Sequence, residues 1–171
     1  MNVNQDEIFD VVNERDEVIG RARRADVHRQ GLRHRAVHVL LFDPAGRVFL
    51  QKRSMQKDTA PGAWDSSASG HLDQGEDYDA CAARELREEL GVALSAAPRR
   101  WFKIDSCAET GFEVCWVYQG EHAGPFTLHP EEIERGDWFD PGQVDRWVVE
   151  SPDEFASAFR LIWSRSRTGN V

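Results

Sequence analysis

The stretch GHLDQGEDYDACAARELREELGV, residues 70–92, decides how this chain is read. It places Gly70, then Glu76 after five residues, then, after seven more, Arg84-Glu85-Leu86-Arg87-Glu88-Glu89-Leu90-Gly91-Val92. The pattern predicts a helix over about 78–90 that ends at Gly91, because glycine readily takes the left-handed conformation that closes a helix. At about 100° per residue, Glu85, Glu88 and Glu89 fall in one sector, and Ala80, Ala83, Leu86 and Leu90 gather on the opposite side. Two ionised carboxylates about 5 Å apart repel by roughly 3 kcal/mol at an effective dielectric near 20, so converging acids need a cation. Arg84, one turn before Glu88, neutralises part of that charge. Mg²⁺ suits the remainder, because it prefers carboxylate oxygens and keeps waters that substrate phosphates displace. A glutamate-rich helix is ordinarily just a solvated face. Here the seven fixed and two aliphatic positions would coincide by chance on the order of once in ten million chains of this length, which makes a metal site the better reading.

Outward from that helix, the elements alternate. Residues 8–12 and 17–19 flank a polar turn as a hairpin, a short helix over 25–29 stops at Gly31, and residues 34–42 and 47–51 form a second hairpin about Asp43-Pro44-Ala45-Gly46. A turn at Pro61-Gly62 precedes an extended piece over 63–69. Strands are expected at 100–104, 113–118 and 137–139, followed by a terminal helix over 151–165. Ser151 and Glu154 read as its capping box, and Phe155, Phe159, Ile162 and Trp163 as its core stripe.

The chain has 171 residues, 40% of them hydrophobic, with no repeat and no proline-rich linker, so a single domain over 1–171 is expected. The 30 acidic residues outnumber the 21 Lys and Arg, for a formal charge of −9, which argues against non-specific nucleic-acid binding. No apolar run reaches the length of a membrane span, and the first seven residues lack a signal-peptide layout, so the sequence reads as cytoplasmic with no membrane partner. Cys81, Cys107 and Cys115 are odd in number and lack metal-ligand spacing, which predicts reduced thiols.

The 70–92 segment resembles the Nudix box, G-x5-E-x7-R-E-U-x-E-E-x-G-U with U aliphatic, and meets every defined position. The resemblance implies an α/β/α sandwich on a mixed sheet, here with an N-terminal hairpin extension and a C-terminal helix. It also implies Mg²⁺ or Mn²⁺ as cofactor and hydrolysis of a small-molecule diphosphate with water as nucleophile. Carried over residue by residue, Glu85, Glu88 and Glu89 would bind metal, with Glu76 adding a ligand through water and the Ser69 carbonyl facing the ions. Arg84 would orient the acids. Catalysis would fall to Glu85, Glu88 and Arg84, and the general base would be Glu85 or one of the loop acids Glu131, Glu132 and Glu134.

A second resemblance narrows the branch. Arg24, His28, His34, Arg53, Lys57, Pro61-Gly62, Gly70-His71 and Glu113-Val114-Cys115 resemble isopentenyl-diphosphate isomerase. In that Nudix relative histidines and glutamates hold a metal, basic residues grip the diphosphate, and a cysteine and a glutamate move protons on carbon. This assigns diphosphate binding to Arg53, Lys57 and Arg24, and offers His28, His34, His71 and Glu113 as a second metal site. Two departures favour hydrolysis: Ser69 stands where the catalytic cysteine should be, and Gly111 where a glutamate should be. The alternatives are the isomerase itself and a non-catalytic module that senses a diphosphate ligand.

Overall fold

In chain order, a hairpin of β1 (Ile8–Val12) and β2 (Val18–Arg23) leads through helix α1 (Arg24–Gln30) into strands β3 (His34–Phe42), β4 (Val48–Arg53), β5 (Trp64–Asp65) and β6 (Ala68–His71). Helix α2 (Tyr78–Leu90) follows, then strands β7 (Arg99–Ile104), β8 (Glu113–Glu121) and β9 (Ile133–Phe139), and helices α3 (Pro141–Glu150) and α4 (Ser157–Arg167). The computed structural model describes residues 6–94 and 97–169. Residues 1–5, on which the expectation of no targeting segment partly rests, lie outside them.

Strand β3 is the axis of the seven-stranded sheet. It runs parallel to β8 from His34↔Glu113 to Phe42↔Glu121, and antiparallel to β6 and, at its far end, to β4. Strand β4 carries β5 and β9, and β8 carries β7, so the sheet is mixed. A strand covered on both faces needs apolar side chains at every position rather than at alternate ones, and residues 36–41 of β3 are all buried. Ala36 and Leu40 face a core shared with Val144 of α3 and with Phe159, Ile162 and Trp163 of α4. Val37, Val39 and Leu41 face a second core with Tyr78, Cys81, Ala82, Leu86 and Leu90 of α2. This is the expected α/β/α sandwich with its hairpin and C-terminal helix.

Helix α2 has the expected bounds, with the Asp77 carboxylate accepting from the Ala80 N–H at 2.9 Å and Gly91 closing it at φ 67°. Its faces differ from the expected ones. Ala80 is exposed and Ala83 half-buried, while Glu85 and Glu89 are buried beside Cys81, Ala82, Leu86 and Leu90. Two of the three acids therefore point inward. The single extended piece expected over 63–69 is two short strands on different partners, because β5 pairs with β4 and β6 with β3. The C-terminal helix begins at Ser157 rather than Ser151. Ser151 ends α3 and starts a single 3₁₀ turn over Pro152–Glu154 without a side-chain cap, and the chain extends only at Phe155, so that the Ala156 N–H reaches the Trp64 carbonyl at 3.0 Å.

The N-terminal hairpin is fastened to this body by Asp16, in the left-handed region at φ 62°. Its carboxylate accepts from Arg35 Nε at 2.7 Å, Lys103 Nζ at 2.7 Å and the Tyr78 hydroxyl at 3.0 Å. Burial opposes ionisation, yet these three donors hold the acid below its ordinary range. Asp16→Asn keeps a side chain that tolerates this backbone and removes the charge, so it should destabilise the protein by about 1–3 kcal/mol. Urea denaturation is the check, and an unchanged midpoint would show that the Asp16 carboxylate is not what fastens the hairpin.

Candidate active site

The acids of α2 are built around a close approach of helix to strand. A Cβ at Gly70 would lie inside van der Waals contact of the Glu85 carboxyl, so only glycine at the first box position lets that side chain pass the β6 backbone. Glu89 is held by the Ser69 N–H at 3.0 Å and the Gln51 side-chain amide at 2.9 Å. Arg84 gathers the rest: it donates to Glu76 at 2.9 and 3.0 Å, Glu85 at 2.8 Å, Glu88 at 3.1 Å and the His71 carbonyl at 2.9 Å. Burial pushes the Glu89 carboxyl up to about 7, and burial together with Glu89 pushes Glu85 well above its ordinary value. Burial works against ionisation of Glu76, yet its bonds to Arg84 and to the Asp73 N–H together hold it below its ordinary value. Two buried carboxyls that resist ionising alone, beside an exposed third in Glu88, form a donor set that fits a hard divalent cation.

A second polar cluster follows from strand register. His34 pairs across the sheet with Glu113, and His71 with Ala36, two residues on from His34, so the three side chains share one face. His28 joins them from α1, its ring centroid 5.3 Å from both His34 and His71. His71 Nε2 meets Glu113 Oε1 at 2.8 Å, and Arg24 meets His71 Nδ1 at 3.2 Å. Burial drives the His34 ring down to about 4 and also lowers His28 and His71, which favours in all three the neutral form that ligates a metal. His34 Nε2 is buried without a hydrogen-bond partner, and potential ligand atoms of the three rings lie within 4.8 Å of one another.

Both clusters open into one cleft of about 1000 Å³ that also holds Arg24, Arg53, Lys57 and Glu132. The basic residues expected to grip a diphosphate are therefore on its wall, but each is already paired. Arg53 meets Asp65 at 3.0 Å, Arg24 meets Asp58 at 3.3 Å, and Lys57 meets Glu132. Of the three loop acids, Glu132 lines the cleft and Glu131 and Glu134 do not. Cys81 and Cys115 are buried free thiols.

Sequence reading missed Gln51. It is 1% exposed on β4, and its amide donates to the carboxylate oxygen of Glu89 that also receives the Ser69 N–H. A polar residue in the otherwise apolar run Val48-Phe49-Leu50 was the signal available. Groups that orient a metal-binding side chain are typically worth about 10–100-fold in metal affinity. Gln51→Leu should thus weaken Mn²⁺ binding by at least about 10-fold with the fold intact, as read by titration calorimetry and circular dichroism. Unchanged Mn²⁺ affinity would reduce Gln51 to a core residue.

Comparison with known proteins agrees with this geometry. The NUDIX domain family model matches residues 32–159. The chain is 41% identical over 170 residues to the "Uncharacterized Nudix hydrolase SCO1686" of Streptomyces coelicolor, covering 96% of this chain and 93% of that one. It is 32% identical over 160 residues to an isopentenyl-diphosphate Delta-isomerase of Serratia proteamaculans, covering 92% and 89%. The crystal structure of DR0079 from Deinococcus radiodurans superposes with a TM-score of 0.83 at 28% identity, covering 94% of this chain and 99% of that one. With the box glutamates gathered by Arg84 and the family match extending over most of the chain, this protein belongs to the Nudix family of hydrolases, which act on pyrophosphate bonds.

Proposed function

We propose that the chain is a Mg²⁺- or Mn²⁺-dependent hydrolase that cleaves the diphosphate linkage of a nucleotide or another small organic diphosphate, with water as nucleophile, and that residues 1–171 act as one Nudix domain. The charge of the cleft carries this reading. Nine carboxyl groups and only four permanent cations line it, and all four cations are paired. An anionic diphosphate is repelled by such a wall unless divalent cations enter with it. Glu85, Glu88 and Glu89 would hold the ion, with Glu76 and the Ser69 carbonyl beside them. Once bound, that ion supplies charge neutralisation at the phosphoryl oxygens and acidifies a water. Arg84 keeps the acids in place, and Arg53, Lys57 and Arg24 exchange their carboxylate partners for phosphate oxygens. When Lys57 leaves Glu132, that carboxylate is free to take a proton from water, and Glu85 is the other base within the cleft. His28, His34, His71 and Glu113 would hold a second cation, which the unpartnered His34 nitrogen fits.

Isomerisation is less well supported. It needs one group to protonate carbon and another to remove a proton, and Ser69 and Gly111 occupy the positions that the resemblance assigns to that work. A serine hydroxyl is far less acidic than a thiol.

Hydrolysis in ¹⁸O-labelled water should place the label on one phosphate-bearing product, and EDTA should abolish turnover until Mg²⁺ or Mn²⁺ is restored. Glu88→Gln should lower turnover by about 100-fold or more without unfolding the helix. With isopentenyl diphosphate in deuterated water, no deuterium should enter carbon. Deuterated dimethylallyl diphosphate formed well above a metal-free control would replace the hydrolase reading by the isomerase one.

Arg53→Ala and Lys57→Ala should each raise KM and lower kcat, with a cost that shrinks as salt rises. Kinetics matching the parent at low ionic strength would leave both as partners of Asp65 and Glu132 with no part in substrate binding.

A further inference from the structure

His38 interrupts the apolar run of β3 with an imidazole. It lies on the same side of the strand as Ala36 and Leu40, is 5% exposed and lines the cleft. A strand covered on both faces gains nothing in packing from a polar ring at such a position, so the nitrogens are what the site uses. Nδ1 meets the Ser66 hydroxyl at 3.0 Å and stands 3.8 Å from Asp65 Oδ1, short of a hydrogen bond.

Asp65 is itself 3% exposed. Its Oδ1 accepts from the Ser66 N–H at 2.7 Å and its Oδ2 from Arg53 Nη1 at 3.0 Å. Of these two donors only Arg53 carries a charge. In the proposed exchange Arg53 moves from Asp65 to a phosphate oxygen, which leaves a carboxylate withdrawn from water on a single backbone N–H. Taking one partner from a buried ion pair is strongly unfavourable, so the exchange needs a second donor ready beside Asp65. His38 is placed to be that donor. A shift of about 1 Å brings Nδ1 within hydrogen-bond distance of Oδ1, and a neutral ring protonated at Nδ1 suffices.

Resting on the reading that Arg53 exchanges Asp65 for phosphate, we propose that His38 is a positioning residue for that exchange, its Nδ1–H taking up the Asp65 carboxylate as Arg53 leaves it. The ring touches neither phosphate nor metal, and its effect on binding passes through Asp65 and Arg53.

A double-mutant cycle tests this, read by titration calorimetry of the non-hydrolysable probe methylenediphosphonate into the full chain in Mg²⁺. Arg53→Ala and His38→Leu should each lose about 10-fold or more in affinity, the scale of one hydrogen bond to a charged group. The double variant should lose no more than Arg53→Ala alone, because without Arg53 the surroundings of Asp65 are the same before and after binding. His38→Asn, whose amide nitrogen can stand where Nδ1 stands, should restore affinity. Stability should show the reverse pattern, with His38→Leu lowering the urea midpoint more in the Arg53→Ala background than in the parent. The unsubstituted chain supplies a measurement free of folding effects: in ¹H–¹⁵N spectra of the histidine rings, the His38 Nδ1 proton should move downfield when Mg²⁺ and the diphosphonate are added, as its partner changes from hydroxyl to carboxylate.

Unchanged affinity in His38→Leu would mean that Arg53 reaches phosphate without releasing Asp65, and would overturn the proposal. So would additive losses in the double variant, or an Nδ1 without a proton in the complex. Weaker Mn²⁺ binding by His38→Leu in the absence of diphosphonate would instead make His38 a metal ligand with Glu113 and Cys115, whose donor atoms lie within 4.8 Å of a ring nitrogen, and would overturn it as well. Unchanged affinity in Arg53→Ala would remove the exchange itself and this inference with it, whereas a loss there beside additive His38 costs would remove this inference alone.

Discussion

Glu85 and Glu89 are carboxyl groups withdrawn from water on one flank of α2, and much of the surrounding structure is what their burial demands. An unpaired buried carboxylate costs several kcal/mol, so each must find donors, a proton or a cation. Glu89 has the Gln51 amide and the Ser69 N–H, and Glu85 has Arg84. Those bonds form only if α2 lies close against β6, which is why Gly70 is needed, and only if α2 is fixed along its axis, which Asp77 and Gly91 ensure at its two ends. The donors available still leave both groups with raised affinity for protons. That residue of unmet charge is what a divalent cation would satisfy.

His71 ties this cluster to the second one. Its carbonyl accepts from Arg84, while its ring bonds Glu113 and faces His28 and His34. Burial opposes a charge on Glu113, yet the His71 hydrogen bond and the neighbouring imidazoles hold its carboxyl well below the usual range. One side therefore carries two acids that resist ionising, and the other carries an acid that its histidine neighbours keep ionised. Both face the same cleft, and a shift of β6 would disturb both together.

How much of this was legible depends on the range of the interaction. Helix α2 could be read to its last residue because its cap, its closing glycine and its box acids are all local. Strand β3 was readable because the apolar residues Ala36, Val37, Val39, Leu40 and Leu41, interrupted only by His38, lead directly into the Asp43-Pro44-Ala45-Gly46 turn. Helix α3 carried the same kind of local signal in Pro141 at its first turn and in Val144, Trp147 and Val148 at helical spacing, and it was passed over in favour of a start at Ser151. The two faces of α2 were misjudged because burial of Glu85 and Glu89 depends on Gly70, Gln51 and Ser69, none of which lies on the helix. The pairings of Arg53 with Asp65 and Lys57 with Glu132 could not be read at all. They join residues 12 and 75 positions apart, brought together by the β4–β5 pairing and by the loop that leads into β9.

Those pairings change what the basic residues mean. Free arginines on a cleft wall would attract any phosphate, and free carboxylates would repel it. Here each cation is matched to an acid that also lines the cleft, so the resting wall offers an incoming anion little net attraction. On the proposed reading, binding would be an exchange in which phosphate oxygens replace Asp58, Asp65 and Glu132, and the displaced carboxylates would then have to be neutralised or used. Divalent cations can do the first, and proton transfer from water can do the second. Exchange of this kind would discriminate by number of charges, because a monoanionic group would gain too little from one arginine to release its carboxylate, whereas a diphosphate entering with its cations would displace several at once.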